Sequence, residues 1–151
     1  IDLAKWHQIM QAYENGGHAY HSTMPTDALT GFCETMLETQ IYGFDKVCEE
    51  QLELGRSVRR LLADYGFKSV AAPGFEAPGV VVSFTDDPEI QSGRKFAEHG
   101  MQIAAGVPLM CDEGDAYSSF RIGLFGLDKL HGVEGAVARI QTVLDKIAPR
   151  G

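Results

Sequence analysis

The sequence predicts an α+β protein in which a small, mostly antiparallel sheet is covered by helices. Apolar residues recur at helical spacing over three long stretches, near residues 26–43, 45–65 and 132–148. Between them lie only short segments of strand character, and "GVVVSFTD" is the clearest of these because it is rich in β-branched residues. Few strands and long helices together favour a layer of helices packed on a small sheet.

The N-terminal part is predicted to be helical. Residues 1–12 are weakly helical, and "NGGH" marks a loop over residues 13–21. The next helix begins at a cap formed by Thr26 or Asp27 and ends at Gly43, a residue type that terminates helices readily.

A long amphipathic helix is predicted to follow, from after Asp45 to about Tyr65, where Gly66 stops it. "FKSVAA" then indicates a short strand and "GVVVSFTD" a stronger one. The sequence therefore moves from helices to the sheet near residue 67.

The segment "DDPEIQSGRKFAEHG" is typical of a capped helix. Asp86 or Asp87 suits the N-cap, Pro88 the first turn and Gly100 the position after the end. "MQIAAG" and "FRIGLF" then predict two strands on either side of an acidic loop, "CDEGDAYSS". After the final helix, the predicted order from Thr26 onward is α-α-β-β-α-β-β-α.

Composition limits the classes of function. The chain has 151 residues, about one domain by length, and a net charge of −8, which argues against nucleic acid or an anionic membrane as partner. Three cysteines without metal-ligand spacing favour a reduced, cytoplasmic setting. The chain begins at Ile1 rather than at methionine, and "IDLAKWHQIM" is typical of the interior of a longer protein.

Arg121 is the first candidate binding residue. It lies within "SSFRIGLFGLDK", where Phe120, Ile122 and Leu124 alternate as on one face of a strand. A guanidinium held on a strand can bind a carboxylate through two parallel hydrogen bonds. The alternative is an ion pair with a carboxylate elsewhere in the chain.

The second candidate is "AYHSTMP", just before a helix start. The hydroxyls of Tyr20, Ser22 and Thr23, together with backbone N–H groups at a helix N-terminus, suit a phosphate. The alternative is a helix-entry turn whose hydroxyls satisfy their own backbone.

Other chemistry is not indicated. The histidines show no metal-ligand spacing, and the acidic loop does not match a calcium-binding loop. No nucleophile elbow, P-loop or dinucleotide fingerprint is present, and Cys111 has no activating cation nearby in the sequence. We therefore expect no catalytic residue and no metal site in this chain.

The two candidate sites together carry a resemblance. "YH-x-T-x-P" and "RIG-x-x-G", about 100 residues apart, resemble the C-terminal part of class V, fold-type I pyridoxal-phosphate-dependent aminotransferases. The nearest group is that of the alanine–glyoxylate and serine–pyruvate aminotransferases. The resemblance implies that residues 1–42 are the tail of the large cofactor-binding domain and residues 43–151 the small C-terminal domain.

The resemblance also implies roles for three residues. Arg121 would bind the substrate carboxylate, and Tyr20 and Thr23 would reach the phosphate of pyridoxal 5'-phosphate, typically in the neighbouring subunit of a homodimer. The family's Schiff-base lysine lies upstream of the matched region, in the missing large domain. The chain alone is therefore predicted to be an inactive fragment, while the complete protein would transfer an amino group between an alanine- or serine-type amino acid and a 2-oxo acid such as glyoxylate or pyruvate.

Two alternatives differ in chemistry. The first is a non-catalytic module of the same fold that binds small carboxylates or forms dimers. The second is a desulfurase- or lyase-type member of the class that uses a loop cysteine, for which Cys111 is the candidate.

Overall fold

The computed structural model describes residues 2–148 in two compact units, with the boundary between Ile41 and Tyr42. Residues 1 and 149–151 lie outside the described residues. The expectation of a longer protein is based on Ile1 and is therefore not addressed by the structure. The helices are α1 (Leu3–Glu14), α2 (Thr26–Tyr42), α3 (Phe44–Asp64), α4 (Pro88–Gln91), α5 (Arg94–Glu98), α6 (Leu127–Leu130) and α7 (Val133–Ile147). The strands are β1 (Val80–Phe84), β2 (Ala104–Ala105) and β3 (Ser119–Gly123).

The first unit consists of helices without a core. The side chain of Asp2 caps α1 by accepting from the N–H of Lys5 at 2.9 Å. Among residues 2–41 only Ile9 is buried, and α2 has no buried residue. Large apolar side chains are exposed instead: Leu3, Trp6, Met10, Tyr13, Tyr20, Met24, Leu29, Phe32, Met36, Leu37 and Ile41. Helices of this length gain most of their stability from packing, and exposed apolar surface of this extent is typical of interaction sites.

The second unit is an α+β layer, which confirms the predicted class. Its three strands are antiparallel in the order β1-β3-β2, so β3 is central. One face of the sheet carries the buried Val81, Phe120 and Ile122. The helices pack against this face. The buried residues of the resulting core are Leu54, Val58, Leu61, Leu62, Val81, Ile90, Phe96, Phe120, Ile122, Leu124, Leu130, Ala136, Ile140, Val143 and Leu144.

Most helix ends lie at the glycine and capping residues that were predicted to set them. Gly43, at φ 106°, separates α2 from α3, and Gly66, at φ 85°, follows the end of α3. Asp87 caps α4 by accepting from the N–H of Glu89 at 2.8 Å, and Gly100 follows α5 at φ 76°. Left-handed backbone of this kind favours glycine.

Three predicted elements differ in the structure. "FKSVAA" is not a strand, since it makes only an isolated bridge between Ser69 and Ser83 before the chain turns away at "PG". The single helix expected over residues 86–100 is two short helices, because Gly93 adopts φ 80° between them. "MQIAAG" pairs as a strand only at Ala104–Ala105, and α6 was not predicted.

No helix within residues 2–148 combines the length and the apolar character needed to cross a membrane. The assignment of residues 1–42 and 43–151 to two aminotransferase domains stays a prediction.

Candidate functional site

Arg121 lies at the middle of the central strand. Its neighbours in register are Val82 on β1 and Ala104 on β2. Because side chains alternate along a strand, Arg121 points to the face opposite the buried Phe120 and Ile122. The strand is fixed on both sides by backbone pairing, so the base of the arginine side chain is held rigidly.

The guanidinium of Arg121 has one hydrogen bond within the described residues. Its Nε–H donates to the carbonyl oxygen of Ala105 at 2.9 Å. Across residues 2–148, no carboxylate lies within 4.0 Å of Arg121, so the ion pair considered from the sequence is not found there. The two Nη groups have no hydrogen-bond partner in this part of the chain and can donate to a ligand.

The surface beside Arg121 is framed by an aromatic pair. The ring of Tyr117 meets that of Phe84 edge to face, with centroids 5.7 Å apart. Ser119, which lies two residues before Arg121 and points to the same face, donates its hydroxyl to that of Tyr117 at 3.1 Å. This contact anchors the end of the loop between β2 and β3 beside the Arg121 face.

Glu113 holds the middle of that loop. Its carboxylate accepts from three successive backbone N–H groups, those of Leu109, Met110 at 3.0 Å and Cys111 at 2.9 Å. These bonds, with that from Cys111 the largest contribution, lower the pKa of Glu113 from its ordinary value of 4.5 to about 2. The acidic loop is therefore an ordered turn built around one carboxylate, which the sequence did not predict.

The loop should depend on pH through Glu113. A carboxyl group whose pKa is lowered by folding stabilises the folded loop above its ordinary pKa, and this contribution disappears as the pH falls from 4.5 towards 2. We expect the ¹³C shift of the Glu113 carboxylate to titrate with a midpoint well below 4.5.

The variant Glu113→Gln should speed amide exchange at residues 109–111 at neutral pH, because the charged acceptor is lost. Asp115→Asn, in the same loop, should leave this exchange unchanged. A Glu113 midpoint near 4.5 would contradict the assignment.

Tyr20 and Thr23 lie together in the first unit, and Arg121 belongs to the second. The hydroxyl of Tyr20 and that of Thr23 are 2.9 Å apart and hydrogen-bonded to each other, so the pair does not satisfy its own backbone. Both side chains are exposed and line a cavity of about 750 Å³ next to α1. The aromatic side chains of Trp6 and His21, edge to face at 5.2 Å, form another part of the wall.

The chemistry of this pair fits one edge of a phosphate group. Two adjacent hydroxyls are neutral donors, and the N-terminus of α2 begins three residues after Thr23. Asp27 in the first turn of α2 opposes an anion, because it places a negative charge at the same helix end. A phosphate bound here would therefore need further positive charge from outside this pair.

Cys111 is exposed but not activated. Partial desolvation, followed by the neighbouring Glu113 carboxylate, raises the pKa of its thiol. Reactive cysteines need the opposite shift, so the structure offers no support for the lyase-type alternative. Residues 2–148 contain no group of three histidine, cysteine or acidic side chains that could hold a metal ion.

Two features of the site could not be found from the sequence. The Ala105 carbonyl is a backbone group, and its role depends on which strand lies next to Arg121. The Glu113 contacts occur in a turn with left-handed backbone at Met110 and Asp112, for which methionine is no signal and aspartate only a weak one.

The chain matches no known protein-family model, and no curated protein is significantly similar to it. Its function is therefore argued from the residues and their geometry.

Proposed function

We propose that this chain is the C-terminal part of a pyridoxal-phosphate-dependent aminotransferase, in which Arg121 binds the carboxylate of a small amino acid or 2-oxo acid. The observation that carries the proposal is the state of Arg121: a guanidinium on a central strand, with no carboxylate partner in residues 2–148 and two free Nη groups. Arginine in such a setting is suited to a carboxylate ligand, because two parallel charge-assisted hydrogen bonds fix the ligand's orientation.

The immediate neighbours of Arg121 do not compete with it for a carboxylate. Val82 and Ala104 flank it on the same face, and neither carries a charge or a hydrogen-bonding side chain. A bound carboxylate would therefore meet one cation and no competing polar side chain from these two positions. This arrangement is compatible with the alanine- or serine-type amino acid and the pyruvate- or glyoxylate-sized oxo acid that the resemblance implies.

Tyr20 and Thr23 would contribute to holding the cofactor phosphate. Their hydroxyls lie 2.9 Å apart and one donates to the other, so one hydroxyl proton is free for a phosphate oxygen and the second becomes free when the two hydroxyls separate. When bound, pyridoxal phosphate supplies the electron sink for chemistry at the substrate Cα. In the proposed homodimer these hydroxyls serve the active site of the neighbouring subunit.

The catalytic lysine would come from a large domain that is not in this sequence. The absence of a core among residues 2–41 supports such a covering domain, since eleven large apolar side chains of this unit are exposed. Arg121, Tyr20 and Thr23 are accordingly binding residues, and no residue of this chain is proposed to transfer a proton.

The role of Arg121 is tested by titrating the chain with pyruvate, using calorimetry or NMR. Hydrogen bonds to charged groups are worth about 1.5–3 kcal/mol, so Arg121→Lys should weaken binding by roughly 10- to 150-fold. Arg139→Lys is the matched control, because Arg139 is an exposed arginine on α7. Equal pyruvate affinity in wild type and Arg121→Lys would show that Arg121 is not the carboxylate site.

The same preparation separates the fragment from the non-catalytic module. The module is favoured by one observation, that Arg121 and its partner Ala105 both lie in the second unit. Pyridoxal phosphate followed by borohydride should label several lysines weakly if the catalytic lysine is elsewhere. Saturating label at a single lysine would overturn the fragment proposal. The fragment should bind pyruvate only weakly, in the millimolar range, so micromolar pyruvate binding without cofactor would favour the module.

A further inference from the structure

The pairing of β2 with β3 places one carbonyl on the open edge of the sheet. In the β2–β3 register Ala104 is opposite Arg121 and Ala105 is opposite Phe120. One residue beyond this ladder, the N–H of Gly106 donates to the carbonyl oxygen of Ser119 at 2.8 Å, which makes Ala105–Phe120 the non-hydrogen-bonded pair. Hydrogen-bonded and non-hydrogen-bonded pairs alternate in an antiparallel ladder, so the carbonyl of Ala105 faces away from β3.

Arg121 reaches that outward carbonyl with its side chain. The side chain stands on the same face of the sheet as Ala104, and its Nε–H meets the Ala105 carbonyl oxygen at 2.9 Å. To reach the far edge of β2, it crosses the face of the strand on which Ala104, the residue directly opposite Arg121, also lies. A long side chain at position 104 would occupy part of that face.

We infer that Ala104 and the Ala105 carbonyl are positioning elements for Arg121. They hold the guanidinium flat across the sheet edge with Nε occupied, so that a ligand carboxylate is bound end-on by the two Nη groups rather than side-on through Nε. This inference takes its ligand from the proposed function, but the path of the arginine side chain does not depend on that function. The benefit is preorganisation, because a guanidinium already fixed loses less freedom when the ligand binds.

The test uses the Nε–H proton of Arg121, observed by NMR in the chain without ligand. Its signal is assigned by its absence in Arg121→Lys. In the wild type this proton should exchange slowly with solvent, because it is hydrogen-bonded to Ala105. In Ala104→Leu it should exchange faster. Pyruvate affinity should fall by about 2- to 10-fold, because the Arg121 side chain would then have to be immobilised when the ligand binds.

Ala104→Ser is the matched control, since serine is small enough to leave the path open and should behave as wild type. The amide spectrum of β3 shows whether Ala104→Leu keeps the sheet, and Ala104→Val is the milder variant if it does not. Rapid Nε–H exchange in the wild type, or equal exchange in wild type and Ala104→Leu, would overturn the inference. A protected Nε–H without pyruvate binding would instead overturn the proposed function and leave the positioning role standing.

Discussion

Replacing Phe120 with alanine is expected to lower the free energy of unfolding of the second unit by about 3–5 kcal/mol. Phe120 is completely buried, and its ring meets those of Phe67 at 5.2 Å and Phe96 at 5.7 Å. The variant removes the transfer free energy of a whole aromatic side chain and leaves a cavity between the sheet and its helices. Since a domain is typically stable by only about 5–15 kcal/mol, this loss is a large share of the total.

Phe75→Ala is the control for this prediction, because the same atoms are removed from a side chain that is 83% exposed. Urea denaturation followed by circular dichroism should show a lower midpoint for Phe120→Ala and almost no change for Phe75→Ala. Similar midpoints in the two variants would mean that Phe120 is not in the core.

The second large effect is expected at Gly106. A Cβ atom at this position would overlap the hydroxyl and the carbonyl oxygen of Ser119, and Ser119 itself is buried. The backbone of β2 would have to move away from β3, and the bond from the Gly106 N–H to Ser119 would be strained or lost. Overpacking of this kind costs about 1–3 kcal/mol, and we expect Gly106→Ala near the upper end because the colliding carbonyl is backbone.

Gly106→Ala should also disturb Arg121. The Ala105 carbonyl, which accepts from Arg121 Nε, belongs to the peptide bond that joins Ala105 to Gly106. A shift of this peptide removes the acceptor, so pyruvate affinity should fall together with stability. The variant therefore links the packing of β2 to the binding site on β3.

Gly123→Ala is the control for Gly106→Ala. Gly123 is in β3, and an added Cβ would meet nothing closer than ordinary contacts of 3.7 Å with Phe125. Thermal unfolding and the NMR signals of β2 should distinguish the two variants. A Gly106→Ala protein with wild-type stability and intact β2–β3 cross-peaks would refute the predicted collision.

The helices were predictable because their signals are local. The apolar stripes of α3 and α7 follow helical spacing, and their buried residues include Leu54, Val58, Ile140 and Leu144, all within the predicted stretches. The cap at Asp87 depends on bonds to residues two and three positions along the chain. Short-range interactions of this type are encoded in adjacent residues, so sequence reasoning reaches them.

The limits of the strands were less predictable because pairing is not local. "FKSVAA" has a strand-like composition, yet it forms only one bridge with β1, between Ser69 and Ser83, flanked by the backbone bonds Val70–Val82 and Phe84–Lys68. The segment "MQIAAG" forms a strand only at Ala104 and Ala105, although a strand was predicted over all six of its residues. Strand formation depends on the partner and on the turns that follow, and composition describes neither.

For the binding site, the sequence by itself determined that Arg121 lies on a strand and that its side chain points away from the face that carries Phe120, Ile122 and Leu124. It also placed the hydroxyls of Tyr20 and Thr23 before a helix start. Tertiary structure alone decided that no carboxylate of residues 2–148 pairs with Arg121, and that the Ala105 carbonyl, sixteen residues away, fixes its Nε. The reason is physical: alternation along a strand is a property of the backbone, whereas the partner of a side chain is set by which distant segments the fold brings beside it.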